Sequence, residues 1–229
     1  MIATACLCTD YLFAACGTIL DQGTVYRNTD AANSGVWTPV LTESGMGRAS
    51  LAIAPSDQSI IYAAAASIAE GDYQDGLHAV FRSTSSGDAA TWTGQVRSAN
   101  LTKLNTVLFS NPLIAFFAEC GPRERCSRAA SSPIKAGQRV SYDNAIAVDP
   151  TNPNAVFAGG IDLFRSDDCG VNWGLASHWW ADKSAPQYAH ADHHALVFHP
   201  QYNGASNQAL FIATGGGTAF GGSPNRLIL

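Results

Sequence analysis

Three stretches of the chain carry nearly unbroken apolar runs that end on proline: Ala49–Pro55, Asn144–Pro150 and His194–Pro200. After each, a short polar segment intervenes and a second apolar run follows: Ile60–Ala64, Ala155–Gly159 and Ala209–Ala213. Runs of this length bounded by Asp, Asn and Ser read as buried strands, and each pair reads as a hairpin. A third element recurs in two units, Val80–Ser83 and Leu163–Ser166, each leading through a polar turn to a tryptophan, Trp92 or Trp173. An earlier partial copy runs from Thr24 through Arg27 and Asp30 to Trp37. The unit is strand, turn, strand, strand, turn, Trp-bearing strand.

Four antiparallel strands recurring at roughly 40–50 residues predict the blades of a β-propeller. The 229 residues hold one partial, two full and one truncated copy. The blade units fall at about 1–45, 46–97, 141–180 and 190–229, with an insertion at about 98–140. The last copy reads as stopping at Gly215-Gly216-Gly217, where a third strand is due. Rings close with about 4–8 blades. The expectation is an all-β, incomplete propeller of about four blades, whose open edges favour self-association or await a missing remainder of the ring.

One turn is diagnostic. Ser166-x-Asp168-x-Gly170-x-x-Trp173 resembles the Asp-box, or BNR, motif of sialidase-like, sortilin-type and xyloglucanase-type propellers. Arg27–Trp37 and Arg82–Trp92 resemble lengthened copies that keep the Arg, Asp30 or Asp88, and the Trp. Nearly the whole chain is similar to parts of large bacterial secreted BNR-repeat proteins labelled glycosyl hydrolases. The resemblance implies that Ser166, Asp168, Gly170 and Trp173 are structural and sit on the outer rim. There Asp168 accepts backbone N–H groups, Gly170 takes a conformation other residues avoid, and Trp173 packs between blades. It also implies an extracellular glycan as ligand and a secreted protein.

Composition narrows the alternatives. With 46% apolar and 14% charged residues, neither a disordered chain nor a coiled coil fits. Lys+Arg number 13 against 18 Asp+Glu, with no basic run, so phosphate neutralisation of a nucleic acid has no footprint. No apolar stretch reaches the roughly 18–20 residues of a membrane span. The first ten residues lack the basic start of a secretory signal, which would then lie upstream. The six cysteines are Cys6, Cys8, Cys16, Cys120, Cys126 and Cys169, without a zinc-ribbon spacing. Cys120–Cys126 would close as a disulfide loop across its Gly-Pro turn; the other reading is buried free thiols. The nearby Arg123, Arg125 and Arg128 read as a carboxylate-binding cluster or a solvated loop.

The proline register also collects the candidate chemistry. Seven residues before Pro55, Pro150 and Pro200 stand Arg48, Asp143 and His193, and one earlier come Gly47, Tyr142 and Asp192. If the Pro-ended runs are the innermost strands, these side chains ring one mouth of the channel. Asp143 and Asp192 are the candidate acid and base of a glycoside hydrolase. That chemistry needs carboxyl groups about 5–5.5 Å apart for retention or 6.5–9.5 Å for inversion. Arg48, Tyr142, His193, Trp179 and Trp180 are the candidate substrate contacts, the tryptophans reading either as a sugar-stacking platform or as aromatic core packing. A sialidase would need an arginine triad, and Arg48 alone stands at this mouth. Strand alternation would turn His190, Asp192 and His194 to one side, with His193 opposite. Two imidazoles and a carboxylate suit a divalent metal, the one cofactor considered; the alternative is a His/Asp hydrogen-bond network. Three readings stay open: a hydrolase, a non-catalytic glycan- or protein-binding or scaffold propeller, and a metal site.

Overall fold

The computed structural model describes residues 2–4, 11–18, 20–30, 35–69, 76–98, 143–177, 179, 181–221 and 227–228. These form four antiparallel sheets of four strands, each built from consecutive strands. Blade 1 holds β1 (Ile2–Thr4), β2 (Leu12–Cys16), β3 (Thr24–Asn28) and β4 (Trp37–Leu41). Blade 2 holds β5 (Met46–Ile53), β6 (Ile61–Ser67), β7 (Leu77–Ser83) and β8 (Thr93–Arg97). Blade 3 holds β9 (Ala145–Val148), β10 (Val156–Gly159), β11 (Leu163–Ser166) and β12 (Gly174–Ser177). Blade 4 holds β13 (His193–Phe198), β14 (Leu210–Thr214), β15 (Gly217–Gly221) and β16 (Leu227–Ile228). The architecture is an incomplete β-propeller.

The apolar runs are continuous because both faces of a sheet are buried, each against a different neighbour. In β6, Ile61, Ala63 and Ala65 point into a core shared with Phe13, Val25 and Leu41 of blade 1. Their alternates Tyr62 and Ala64 point into a core shared with Ile146, Val156, Phe164 and Trp173 of blade 3. A third core joins Phe157 and Leu163 of blade 3 to Leu210 and Ile212 of blade 4. Burying one such large side chain stabilises the fold by about 1.5–3 kcal/mol, so each interface rests on several such contributions.

Two copies that read as defective are complete. Blade 1 has all four strands, and in blade 4 the glycines after Thr214 make a hairpin rather than an end. Thr214 pairs with Gly217 across the turn, Gly217 sits at φ +121, and β15 begins there. Only one bulky side chain, Phe220, marks that strand in the sequence, so it has no apolar run to betray it. The insertion at 98–140, with Cys120–Cys126 and its arginines, lies outside the described residues apart from its first one, Ser98, as do Cys6 and Cys8. Cys16 and Cys169 are free thiols.

The turn from β11 to β12 is tied as its residues suggest. Ser166 Oγ accepts from Gly170 N at 3.0 Å and donates to Asp168 Oδ1 at 2.8 Å. Asp168 in turn accepts from Asn172 N at 2.8 Å, and Trp173 Nε1 donates to Gly170 O at 2.8 Å. Cys169 and Gly170 are both left-handed, at φ +66 and +87. Trp173 is buried between blades 2 and 3.

Blade 2 repeats this turn without a carboxylate. Ser83 Oγ accepts from Gly87 N at 3.1 Å, Ser86 and Gly87 are left-handed, and Trp92 Nε1 donates to Gly87 O at 3.3 Å. Ser85 therefore occupies the place of Asp168, and a 3-10 turn at Ala89–Thr91 supplies the extra length before Trp92. Asp88, the expected equivalent, instead pairs with Arg27 of blade 1 at 2.6 Å. Arg27 also donates to Ser86 O at 2.7 Å, and Arg82 reaches Asn154 of blade 3 at 3.1 Å. Arg27 and Arg82 are thus clasps to the following blade, whereas Arg165 pairs with Asp167 of its own turn at 2.7 Å.

Trp173→Ala is expected to cost about 3–5 kcal/mol, because it empties an interface shared by two sheets. Trp37→Ala, at an exposed position, is expected to stay within about 0.5 kcal/mol. Urea unfolding of the two variants distinguishes them.

Candidate functional site

The Pro-ended strands β5, β9 and β13 lie side by side. Their junctions are polar and local. Ser50 Oγ donates to Asn144 O at 2.5 Å, and Asn144 Nδ2 donates to Ala64 O at 3.0 Å, tying blade 3 to blade 2. His193 ties blade 4 to blade 3, with both its backbone N–H and its Nδ1 on Gly160 O, at 2.8 and 2.9 Å. Gly159 is required there, since a Cβ on it would come within 2.8 Å of His193 Cβ.

Both β5 and β13 begin with a register shift. Gly47 and Arg48 lie between the ladder pairs Met46↔Ser67 and Ala49↔Ala65, and His194 lies between His193↔Thr214 and Ala195↔Ala213. Bulges re-aim side chains at strand ends, and these two carry Arg48 and His194 to the mouth. Asp192, just before β13, is left-handed at φ +68, and its carbonyl accepts from Gly215 N at 3.0 Å.

The result is a compact cluster. Asp143, 2% exposed, lies beneath it, with Oδ1 at 3.2 Å from His194 Nδ1. Asp192 lies close enough for its carboxyl to act on that of Asp143. Burial pushes the Asp143 pKa up to about 6; the negative Asp192 adds to the rise, while His194 and Arg48 oppose it. Two neighbouring carboxyls resist carrying two negative charges at once. His194 is exposed, and Arg48 and Asp192 are half-buried, so these three present the cluster to solvent.

His193 does not join them. It is buried, and desolvation brings its pKa down to about 4, so it is neutral at ordinary pH. Counting back from Pro200 places it at the mouth, but the bulge adds one residue and turns His194 there instead. His190 precedes the strand, so alternation does not govern it; its Nδ1 meets Ala191 O at 2.9 Å and its ring lies against Gly216. Among the described residues no group of three His, Cys, Asp or Glu side chains converges so as to hold a metal ion. Trp179 is exposed, and its backbone N–H donates to Asp162 Oδ1 at 3.1 Å at this same end of blade 3. Tyr142 and Trp180 lie outside the described residues.

The sequence reading passed over Asp162. It is fully buried in the β10–β11 turn, and burial raises its pKa to about 6. Among the described residues, the buried side-chain polar atoms with no hydrogen-bond partner gather at this end: Asp143 Oδ1, Asn144 Oδ1, Asp162 Oδ2, Ser177 Oγ and His193 Nε2, with Arg27 Nε the exception. Such concentrated unsatisfied polarity is unusual in a core. On the blade 2 rim, Glu43 holds Arg97 through two contacts of 2.7 and 2.9 Å and His78 at 3.1 Å. Arg97 above all brings the Glu43 pKa down to about 2, as in a structural ion pair.

No protein-family model matches the chain, and no curated protein matches it in sequence. Solved structures do. A GH74 enzyme of Niastella koreensis aligns over 95% of this chain and 27% of its own, at 21% identity and a TM-score of 0.54. A GH74 xyloglucanase of Xanthomonas campestris aligns over 97% of this chain and 28% of its own, at 16% identity and TM-score 0.49. YCF48 of Cyanidioschyzon merolae aligns over 96% and 70%, at 10% identity and TM-score 0.37. The first likeness shows the fold, a β-propeller, and the chain spans about a quarter of the length of the two GH74 proteins. No helix among the described residues is long and apolar enough to cross a membrane.

The buried groups oppose one another in pH. Between about pH 4 and 6 the folded Asp143 and Asp162 each hold a proton that the unfolded chain releases, so each lowers stability as pH rises. Over nearly the same window His193 is neutral when folded and protonated when unfolded, so it raises stability as pH rises. Asp162→Asn is expected to make the slope of unfolding free energy against pH more positive by up to about 1.4 kcal/mol per pH unit in that window. Urea titrations at several pH values measure it.

Proposed function

We propose that the chain is a segment of a carbohydrate-active propeller whose mouth engages an extracellular glycan. The observation that supports this reading is the joining of Asp143, Asp192 and His194 on neighbouring inner strands, with Arg48 close enough to act on Asp143 and an exposed Trp179 at the same end. Sugars offer hydroxyls to carboxylates and imidazoles and apolar ring faces to indoles. The shared fold with a GH74 enzyme supports the reading by analogy. Among the described residues Arg48 is the one arginine of this cluster, which suits a neutral glycan better than a sialylated one.

The carboxyl pair fills one role, not two. Glycosidases separate acid from base or nucleophile by at least about 5 Å, whereas Asp143 and Asp192 stand near enough for one to raise the other's pKa. The pair therefore acts as a single acid: buried Asp143 keeps the proton in mildly acidic medium, and the more exposed Asp192 passes it to the glycosidic oxygen. Hydrolysis would need a second, opposing carboxylate at least about 5 Å from this pair. The same proximity favours a second reading, in which the cluster binds a glycan without cleaving it.

Turnover and binding of a panel of β-linked oligosaccharides test this. Asp192→Asn is expected to lower kcat by about 10²–10⁴ while binding persists. Wild-type kcat is expected to fall as pH rises through about 6, where the pair loses its proton. Binding without turnover selects the second reading, and the absence of both on the whole panel rejects a glycan role.

A further inference from the structure

The connection from β12 to β13 leads from blade 3 to blade 4. It carries Trp179 at its start and delivers Asp192 and His194 at its end. One tight turn, Gly160–Asp162 between β10 and β11, holds both ends. Gly160 N donates to Asp162 O at 3.1 Å and closes the turn. Asp162 Oδ1 accepts the backbone N–H of Trp179 at 3.1 Å, and Gly160 O accepts the backbone N–H of His193 at 2.8 Å. Between these two pins the chain makes two further turns, with Ala185 N on Asp182 O at 2.8 Å and Tyr188 N on Ala185 O at 3.0 Å. It also buries Ala189 completely.

The two pins differ in kind. At His193 the acceptor is a backbone carbonyl, which any residue at 160 would supply. At Trp179 the acceptor is a side chain, so the identity of residue 162 decides whether the pin exists. Asp162 is fully buried, and its Oδ2 has no hydrogen-bond partner among the described residues. A buried carboxyl with one oxygen unsatisfied lowers stability, and packing alone would favour an apolar residue at this place. What the carboxyl does make is a bond to the main chain of a residue whose indole is exposed at the mouth. We infer that Asp162 is a positioning residue: by holding the backbone at Trp179 it fixes where the indole stands, without itself meeting a ligand. The anchoring stands apart from the glycan reading, and only the step from a fixed indole to a bound sugar rests on that reading.

NMR on the whole chain, without ligand, tests the anchor. Fluorotryptophan labelling gives each indole its own fluorine line, with that of Trp179 assigned by its loss in Trp179→Phe. Trp173, packed between blades 2 and 3, serves as the internal reference. In Asp162→Leu the Trp179 line is expected to move and its backbone N–H to exchange about tenfold faster, while the Trp173 line stays in place. Asp162→Asn, which keeps a carbonyl oxygen as acceptor, is expected to restore both wild-type signatures. A Trp179 N–H that is unprotected in the wild type overturns the inference, and this arm needs no variant to fold. So does a Trp179 line unmoved in Asp162→Leu, a Trp173 line that moves with it, or an Asn variant that behaves as the Leu variant does. Since no sugar is added, the result decides the anchor whether or not the mouth binds a glycan.

Discussion

Burial of both faces of each sheet is the constraint from which the rest follows. It obliges the central strands to be apolar at every position, and it favours small residues where sheets approach closely, as in the fully buried Ala63–Ala66. Polar groups are then confined to strand ends and turns. There they either bind the neighbouring blade through backbone carbonyls, as Asn144 and His193 do, or gather at the mouth, as Asp143, Asp192 and His194 do. Chemistry and adhesion thus share a few residues at one end of blades 3 and 4.

Much of the wheel is written in the chain. The Pro-ended runs announce the inner strands, and the Ser166-to-Trp173 spacing fixes a turn whose hydrogen bonds follow from the residue types. What escaped is what leaves no periodic mark. β15 carries one large side chain, so alternation had nothing to register. The blade 2 turn uses Ser85 where blade 3 uses Asp168, because the hydroxyl of Ser83 and two left-handed residues suffice to shape it. A search for the carboxylate led to Asp88, which serves another blade.

The mouth was legible as a place and not as an arrangement. Proline counting brought Arg48, Asp143 and Asp192 together, yet it chose His193 over His194, since an extra residue in a ladder is invisible in composition. It also treated the two aspartates as separate agents. Their proximity couples them, with Asp192 helping to raise the pKa of Asp143, above a buried layer in which Asp162 and His193 pull on pH in opposite senses.

The bulges beneath Arg48 and His194 have an evolutionary meaning. Residues inside a ladder are locked to their cross-strand neighbours, so any change there must be matched across the sheet. Residues at a bulge are not held in a one-to-one cross-strand pair, although their side chains still meet other groups, as His194 meets Asp143. A change at 48 or 194 can therefore leave the strand register intact, which separates positions free to vary without shifting the ladder from those obliged to change in concert.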